Sequence, residues 1–149
     1  TCTTCTTILT VVDTTPPTIS ALSANPATLK PINRQMVRVT LSISANDNCD
    51  PTPVSRIVSV TSNEPVRGHG DQTGPDWEVT GPLTLKLRAE NTGHQAPRVY
   101  TITVQCRDAS GNKSTATVNV TASKHDKHES SAKDREENEV KTEKSHDKK

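Results

Sequence analysis

Five side chains with hard oxygen donors stand in short, turn-like contexts: Asp13 in DTTPP, Asp47 and Asp50 in DNCD, and Asp108 and Asn112 in RDASGN. Clustered carboxylates and amides suit Ca2+, which takes six to eight oxygen ligands. These residues are distant in sequence, so a site exists only if the fold gathers them. The plainer expectation is that each Asp caps its own turn and Asn112 takes a left-handed position. A second set, Asp71, Asp76 and Trp77, falls within one loop and suits a sugar, with an indole face for stacking and carboxylates for hydroxyls. Against that reading, Trp77 serves equally well as the core tryptophan of a domain.

Catalytic chemistry has little to stand on. His69 and His94 lie in glycine-containing loops, and His125, His128 and His146 lie in a charged C-terminal stretch. His125 and His128 could share a metal ion, but a solvated segment is the plainer expectation. No serine sits in a nucleophile elbow and no glycine-rich phosphate loop precedes a helical pattern. Cys2 and Cys5 form a C-x-x-C spacing with no following His and no second pair, which supports neither haem attachment nor a zinc site. Along a strand they would face opposite ways, so partners upstream or in another chain are expected. The chain is therefore read as not an enzyme.

The elements that must position these residues are strands. The apolar share of the 149-residue chain is 30%, well below the ~45–50% of an average globular domain. Trp77 and Tyr100 are its only aromatics, so the core must be built from Val, Ile, Leu and Ala. Val37, Val39, Leu41, Ile43 and Ala45 alternate with polar residues, as do Leu83, Leu85, Leu87 and Ala89 against Thr84, Lys86, Arg88 and Glu90. Tyr100, Ile102, Val104 and Cys106 repeat the pattern, and Ala116, Val118, Val120 and Ala122 close it. This period of two marks half-buried strands. Weaker strands are predicted at residues 19–24, 54–61 and 77–80, with Gly, Pro, Asn and Asp turn signals between them. About seven short strands in one domain predict an all-β, immunoglobulin-like sandwich of two antiparallel sheets over residues 18–122.

The flanks differ. Ile8, Leu9, Val11 and Val12 predict another strand, and residues 13–17 a stiff Pro-containing connector. Residues 1–12 are read as the last strand of a truncated preceding domain, the alternative being a free strand that completes a neighbouring molecule's sheet. The lack of an initiator methionine and of a leader pattern predicts a processed chain or a piece of a longer one. Residues 123–149 carry eight Lys or Arg and eight Asp or Glu, with Ala132 and Val140 the only apolar side chains. Such a segment cannot offset an ordering cost of ~1–2 kcal/mol per residue, and a disordered tail is expected. A net charge of +1 supplies no electrostatic attraction to nucleic acid, and no apolar run is long enough to insert in a membrane as a helix.

The motifs DTTPP at 13–17, DNCD at 47–50 and YTITVQCRDASGN at 100–112 together resemble the hyalin-repeat (HYR) family and similar bacterial immunoglobulin-like modules. The likeness covers about residues 13–122, and the segment 62–81 is longer than the family's usual connection. It implies an immunoglobulin-like sandwich in an extracellular, secreted or cell-surface protein, with an adhesive or spacer role. The partners implied are neighbouring immunoglobulin-like domains of the same or adjacent chains, with surface glycans as a further possibility. Rival expectations are a filament subunit that donates residues 1–12 and a carbohydrate-binding accessory module.

In such a sandwich, the second and sixth strands lie in facing sheets. If the second stays extended past Ala45, Cys49 and Cys106 both point inward near one end and are expected to form a disulfide. Closing a loop of about 57 residues this way would stabilise by roughly 4 kcal/mol. Chain direction also places Asp13, Asp47, Asp50, Asp108 and Asn112 at one pole, where Ca2+ would stiffen the joint with a preceding module. The same directions send Asp71 and Asp76 to the opposite pole.

Overall fold

The structure, a computed structural model, describes residues 3–4, 6–64, 75–91 and 96–123. The charged tail beyond Ser123, all five histidines, Cys2, Cys5 and Asp71 lie outside the described residues.

Eight strands and no helix occur among the described residues: β1 (Thr18–Asn25), β2 (Thr28–Leu29), β3 (Met36–Asn46), β4 (Val54–Ser62), β5 (Trp77–Gly81), β6 (Thr84–Arg88), β7 (Arg98–Arg107) and β8 (Lys113–Ala122). They form two four-stranded sheets, ordered β1-β3-β6-β5 and β2-β8-β7-β4. Every strand predicted from alternation in residues 18–122 is present. The addition is β2, two residues that pair in parallel with Thr121 and Ala122. Two residues carry no readable period, which is why sequence patterning passed over this strand. It lets the chain leave β1 in one sheet and continue in the other, with the Thr121 amide donating to Ala27 O at 3.0 Å.

Both sheets contribute to a single core. Leu29, Val39, Leu41, Leu85, Leu87, Tyr100, Ile102, Val104 and Val120 are buried in it. The outward rows on β3, Arg38, Thr40, Ser42 and Ser44, are exposed. Each apolar side chain fully withdrawn from water contributes about 1.5–3 kcal/mol, so the alternation itself sets which face of a strand turns inward. The β7–β8 pairing runs without a break from Arg98↔Ala122 to Arg107↔Lys113, which makes β7 the axis along which both ends of the molecule are organised.

Residues 6–12 belong to neither sheet. Ile8, Leu9, Val11 and Val12 are 88%, 86%, 86% and 70% exposed, so the strand expected there has no sheet partner among the described residues.

Candidate functional site

The inward row of β7 continues beyond its apolar residues at both ends. Arg98, Tyr100, Ile102, Val104, Cys106 and Asp108 all share it and all are buried. Asp108 closes the row at the pole where β3 ends and β4 begins. There its carboxylate meets those of Asp13 and Asp47, one oxygen from each lying within 4.8 Å of the others. These carboxylates belong to three of the five residues expected at this pole.

Local turns hold these carboxylates. Asp47 follows the last residue of β3, and its Oδ1 accepts from the Cys49 amide at 3.0 Å and the Asp50 amide at 2.8 Å. The Asp13 Oδ1 accepts from the Thr15 amide at 3.0 Å. Asp and Asn favour such turns because their short side chains reach the backbone two or three residues on. Asp108 receives the Asn112 amide on Oδ1 at 2.8 Å and the Asn112 side-chain amide on Oδ2 at 2.7 Å. Burial works to raise the Asp108 pKa, but the hydrogen bonds from Asn112, Gly111 and Ser110 outweigh it and hold the carboxyl below its ordinary value.

The other two residues brace the pole. Asp50 turns its Oδ2 to the Ala109 amide at 2.9 Å, tying the β3–β4 loop to the β7–β8 turn. Asn112 donates from Nδ2 to Asp13 O at 3.1 Å and Thr15 O at 3.3 Å. The left-handed position in this turn belongs to Gly111, at φ 98°, and not to Asn112.

Two oxygens are left over. Asp13 Oδ2 and Asp47 Oδ2 are buried and accept no hydrogen bond. A buried carboxylate oxygen without a donor is costly, and no Lys or Arg among the described residues forms an ion pair with Asp13, Asp47 or Asp108. Arg107, beside Asp108 in sequence, faces outward and is exposed, as is Lys113. The donor set is all hard oxygen with unmet acceptor capacity, and this fits a hard cation such as Ca2+.

The expected Cys49–Cys106 disulfide is not formed: both thiols are free, Cys106 buried and Cys49 exposed. The parity argument required β3 to stay extended past Ala45. Instead the strand ends at Asn46 and the Asp47 turn bends the chain, so Cys49 leaves the inward row. Although the residue is exposed, partial desolvation of its thiol first, and then the charges of Asp13, Asp47 and Asp108, push the Cys49 pKa up.

The opposite pole holds the residues of the sugar reading in another role. Asp76 is 4% exposed, and its Oδ2 lies 2.6 Å from Arg98 Nη2. Its Oδ1 lies 3.9 Å from Arg88 Nε. Its carboxylate is therefore not offered to a ligand. Trp77 is half-buried and packs edge-on to Tyr100, with ring centroids 6.4 Å apart at 83°. It packs against the core, and Asp71, the third residue of the sugar reading, lies outside the described residues.

Arg98 was not singled out by sequence, although its place was readable: it shares parity with Tyr100 and Ile102, and a charge on an inward row requires partners. Its Nε donates to Ser62 Oγ at 3.0 Å, Nη1 lies 3.9 Å from Glu90 Oε1, and its guanidinium sits 4.8 Å from the Tyr100 ring centroid. Arg88 and Glu90, expected to face outward, are buried with it. The reason is that the segment after β6 is enclosed by its surroundings. Arg88 donates to Arg34 O at 2.8 Å and Pro75 O at 3.0 Å, and Ala89 bonds the backbone of Gln35 at 2.8 Å. Tyr100 completes the pole by donating to Arg88 O at 2.8 Å. Burial raises its pKa strongly, the Arg98 charge opposing and the carboxylates of Asp76 and Glu90 adding to it.

No protein-family model, curated protein or solved structure matches this chain.

Proposed function

We propose that the chain is a non-catalytic spacer or adhesive module of an extracellular multidomain protein, with a Ca2+ site at the pole where the connector enters. The observation that carries this is the meeting of Asp13, Asp47 and Asp108 within 4.8 Å, with unpartnered buried oxygens on Asp13 and Asp47. Asp13 belongs to the connector and the other two to the sandwich, so a cation bound by all three would tie one to the other. The three carboxylates fall short of the usual six to eight ligands once the oxygens already accepting hydrogen bonds are set aside. Water or a neighbouring segment would supply the rest.

The immunoglobulin-like reading rests on strand order. Taking β1 and β2 as two halves of a first strand, the sheets read A-B-E-D and A-G-F-C, in keeping with the ABED and CFG sheets of that fold. The likeness of DTTPP, DNCD and RDASGN to hyalin-repeat modules supports an extracellular, bacterial cell-surface setting, with neighbouring immunoglobulin-like domains as partners. A filament subunit is the second reading, favoured by the exposure of Ile8, Leu9, Val11 and Val12. In that case the arm would pair with a sheet edge of another copy.

Thermal melting in millimolar Ca2+ and in chelator tests the cation. Binding stabilises the native state by RT ln(1 + [L]/Kd), about 2.7 kcal/mol at a hundredfold excess over Kd. Superimposable melting curves would remove the site. Sedimentation across a range of concentrations tests the filament reading, which requires assemblies that grow with concentration.

A further inference from the structure

We propose that Asn112 is a latch that sets the direction in which residues 6–12 leave the sandwich, and that it does so without a cation. The connector contains Pro16 and Pro17, neither of which has an N–H to donate. Thr15 spends its amide on Asp13 Oδ1 at 3.0 Å. The connector can therefore be held to the body chiefly through its carbonyls, and the body must supply the donor. Asn112 Nδ2 is that donor, reaching Asp13 O at 3.1 Å and Thr15 O at 3.3 Å. Its orientation is set from behind by Asp108 Oδ2 at 2.7 Å.

The residue type follows from this geometry. An amide nitrogen carries two N–H donors and can be shared among three acceptors; a carboxylate has none and a hydroxyl only one. The turn that delivers it requires Gly111, whose φ of 98° suits glycine, and a Cβ there would come within 3.3 Å of Arg107 Nη2. A second anchor lies at the far end of the connector, where Pro17 is fully buried. Held at Pro17 by packing and at Thr15 and Asp13 by Asn112, the connector cannot swivel, and the apolar arm before it is presented at one angle. Asn112 is thus a positioning residue for whatever sheet receives that arm. DTTPP and RDASGN, far apart in sequence, are two halves of one device.

The inference rests on reading residues 13–17 as a connector, not on Ca2+, so its test is run in chelator throughout. In the wild-type chain, exchange of the Asn112 side-chain amide should be slower than that of an exposed asparagine. Exchange at the exposed rate would overturn the proposal. In Asn112→Ala the backbone amide of residue 112 can still reach Asp108 Oδ1, so the turn survives and only the latch is lost. Nitrogen-15 order parameters at Thr14 and Thr15 should then fall from the rigid range near ~0.85 to below ~0.6. Those of Tyr100, Ile102 and Val118 should stay unchanged. Asn112→Leu, of similar size without the donors and without an added charge beside Asp108, should behave like Asn112→Ala. Order parameters at Thr14 and Thr15 that stay rigid in Asn112→Ala would show that Asn112 does not hold the connector.

Discussion

Strand β7 carries a buried charge at each end of one inward row, and the two ends have opposite chemistries. Arg98 enters a neutralised group: two guanidiniums and two carboxylates from Asp76, Arg88, Glu90 and Arg98, with Tyr100 beside them. Asp108 enters a group of like charges, with Asp13 and Asp47 for company and no cationic side chain paired to them among the described residues. The first pole balances its charges within the described residues, although Arg88 Nε is buried without a hydrogen bond. The second has unmet acceptor capacity, the condition in which an outside cation gains most. A buried charge thus reads as structural or as available for binding according to whether its neighbours already satisfy it.

The sharpest way to break this contrast is to unpair the closed pole. Arg98→Met keeps an apolar stem but leaves Asp76 and Glu90 buried with less compensation, so urea unfolding should show a loss of about 3–5 kcal/mol. A loss below ~1 kcal/mol would mean the pole is wetter than its burial implies. Next in size is the cation effect at the open pole. The Ca2+-induced rise in melting temperature should vanish in the double variant Asp47→Asn, Asp108→Asn and persist in Tyr100→Phe. Persistence in both would place the ion elsewhere.

Tyr100→Phe removes the hydrogen bond to Arg88 O and leaves that carbonyl buried without this donor. The expected cost is roughly 1–2 kcal/mol, measured by the same urea titration. A smaller, pH-dependent difference comes from Asp108. Its folded pKa lies below the ordinary carboxylate value, so its ionised form contributes stability above that range. The contribution is lost as pH falls through the depressed folded value. Asp108→Asn should flatten this part of the acid limb, and identical limbs would show that the Asn112 contacts do not favour the carboxylate. The smallest readout is kinetic. Cys49 has a raised pKa and should alkylate more slowly at neutral pH than a free thiol, with Asp13→Asn and Asp47→Asn each speeding it. Cys106 should react only on unfolding.

How far residue patterns reach is clear from particular strands. The rows Val37 to Ala45, Leu85 to Leu87 and Tyr100 to Cys106 declared both their strands and their inward faces, because alternation is a local property set by the pleat. The poles were only half legible. Asp13, Asp47 and Asp108 could be brought together on paper because chain direction alone decides at which end of a sheet a turn lies. Asp50 could not be separated from them, nor Cys49 from the inward row, because both depend on how one carboxylate bends three residues.

The sequence by itself determined the strand-rich architecture, the inward rows and the end of the molecule at which each turn would lie. Their origin is periodicity and direction, which every residue carries locally. Only the tertiary structure decided that Arg88, Glu90 and Asp76 are buried partners of Arg98, that Cys49 and Cys106 remain apart, and that Asn112 reaches across to Asp13 and Thr15. Each of those outcomes depends on groups distant in the chain competing for the same few ångströms. Hydrogen-bond and charge satisfaction at that range is settled by packing, not by sequence spacing.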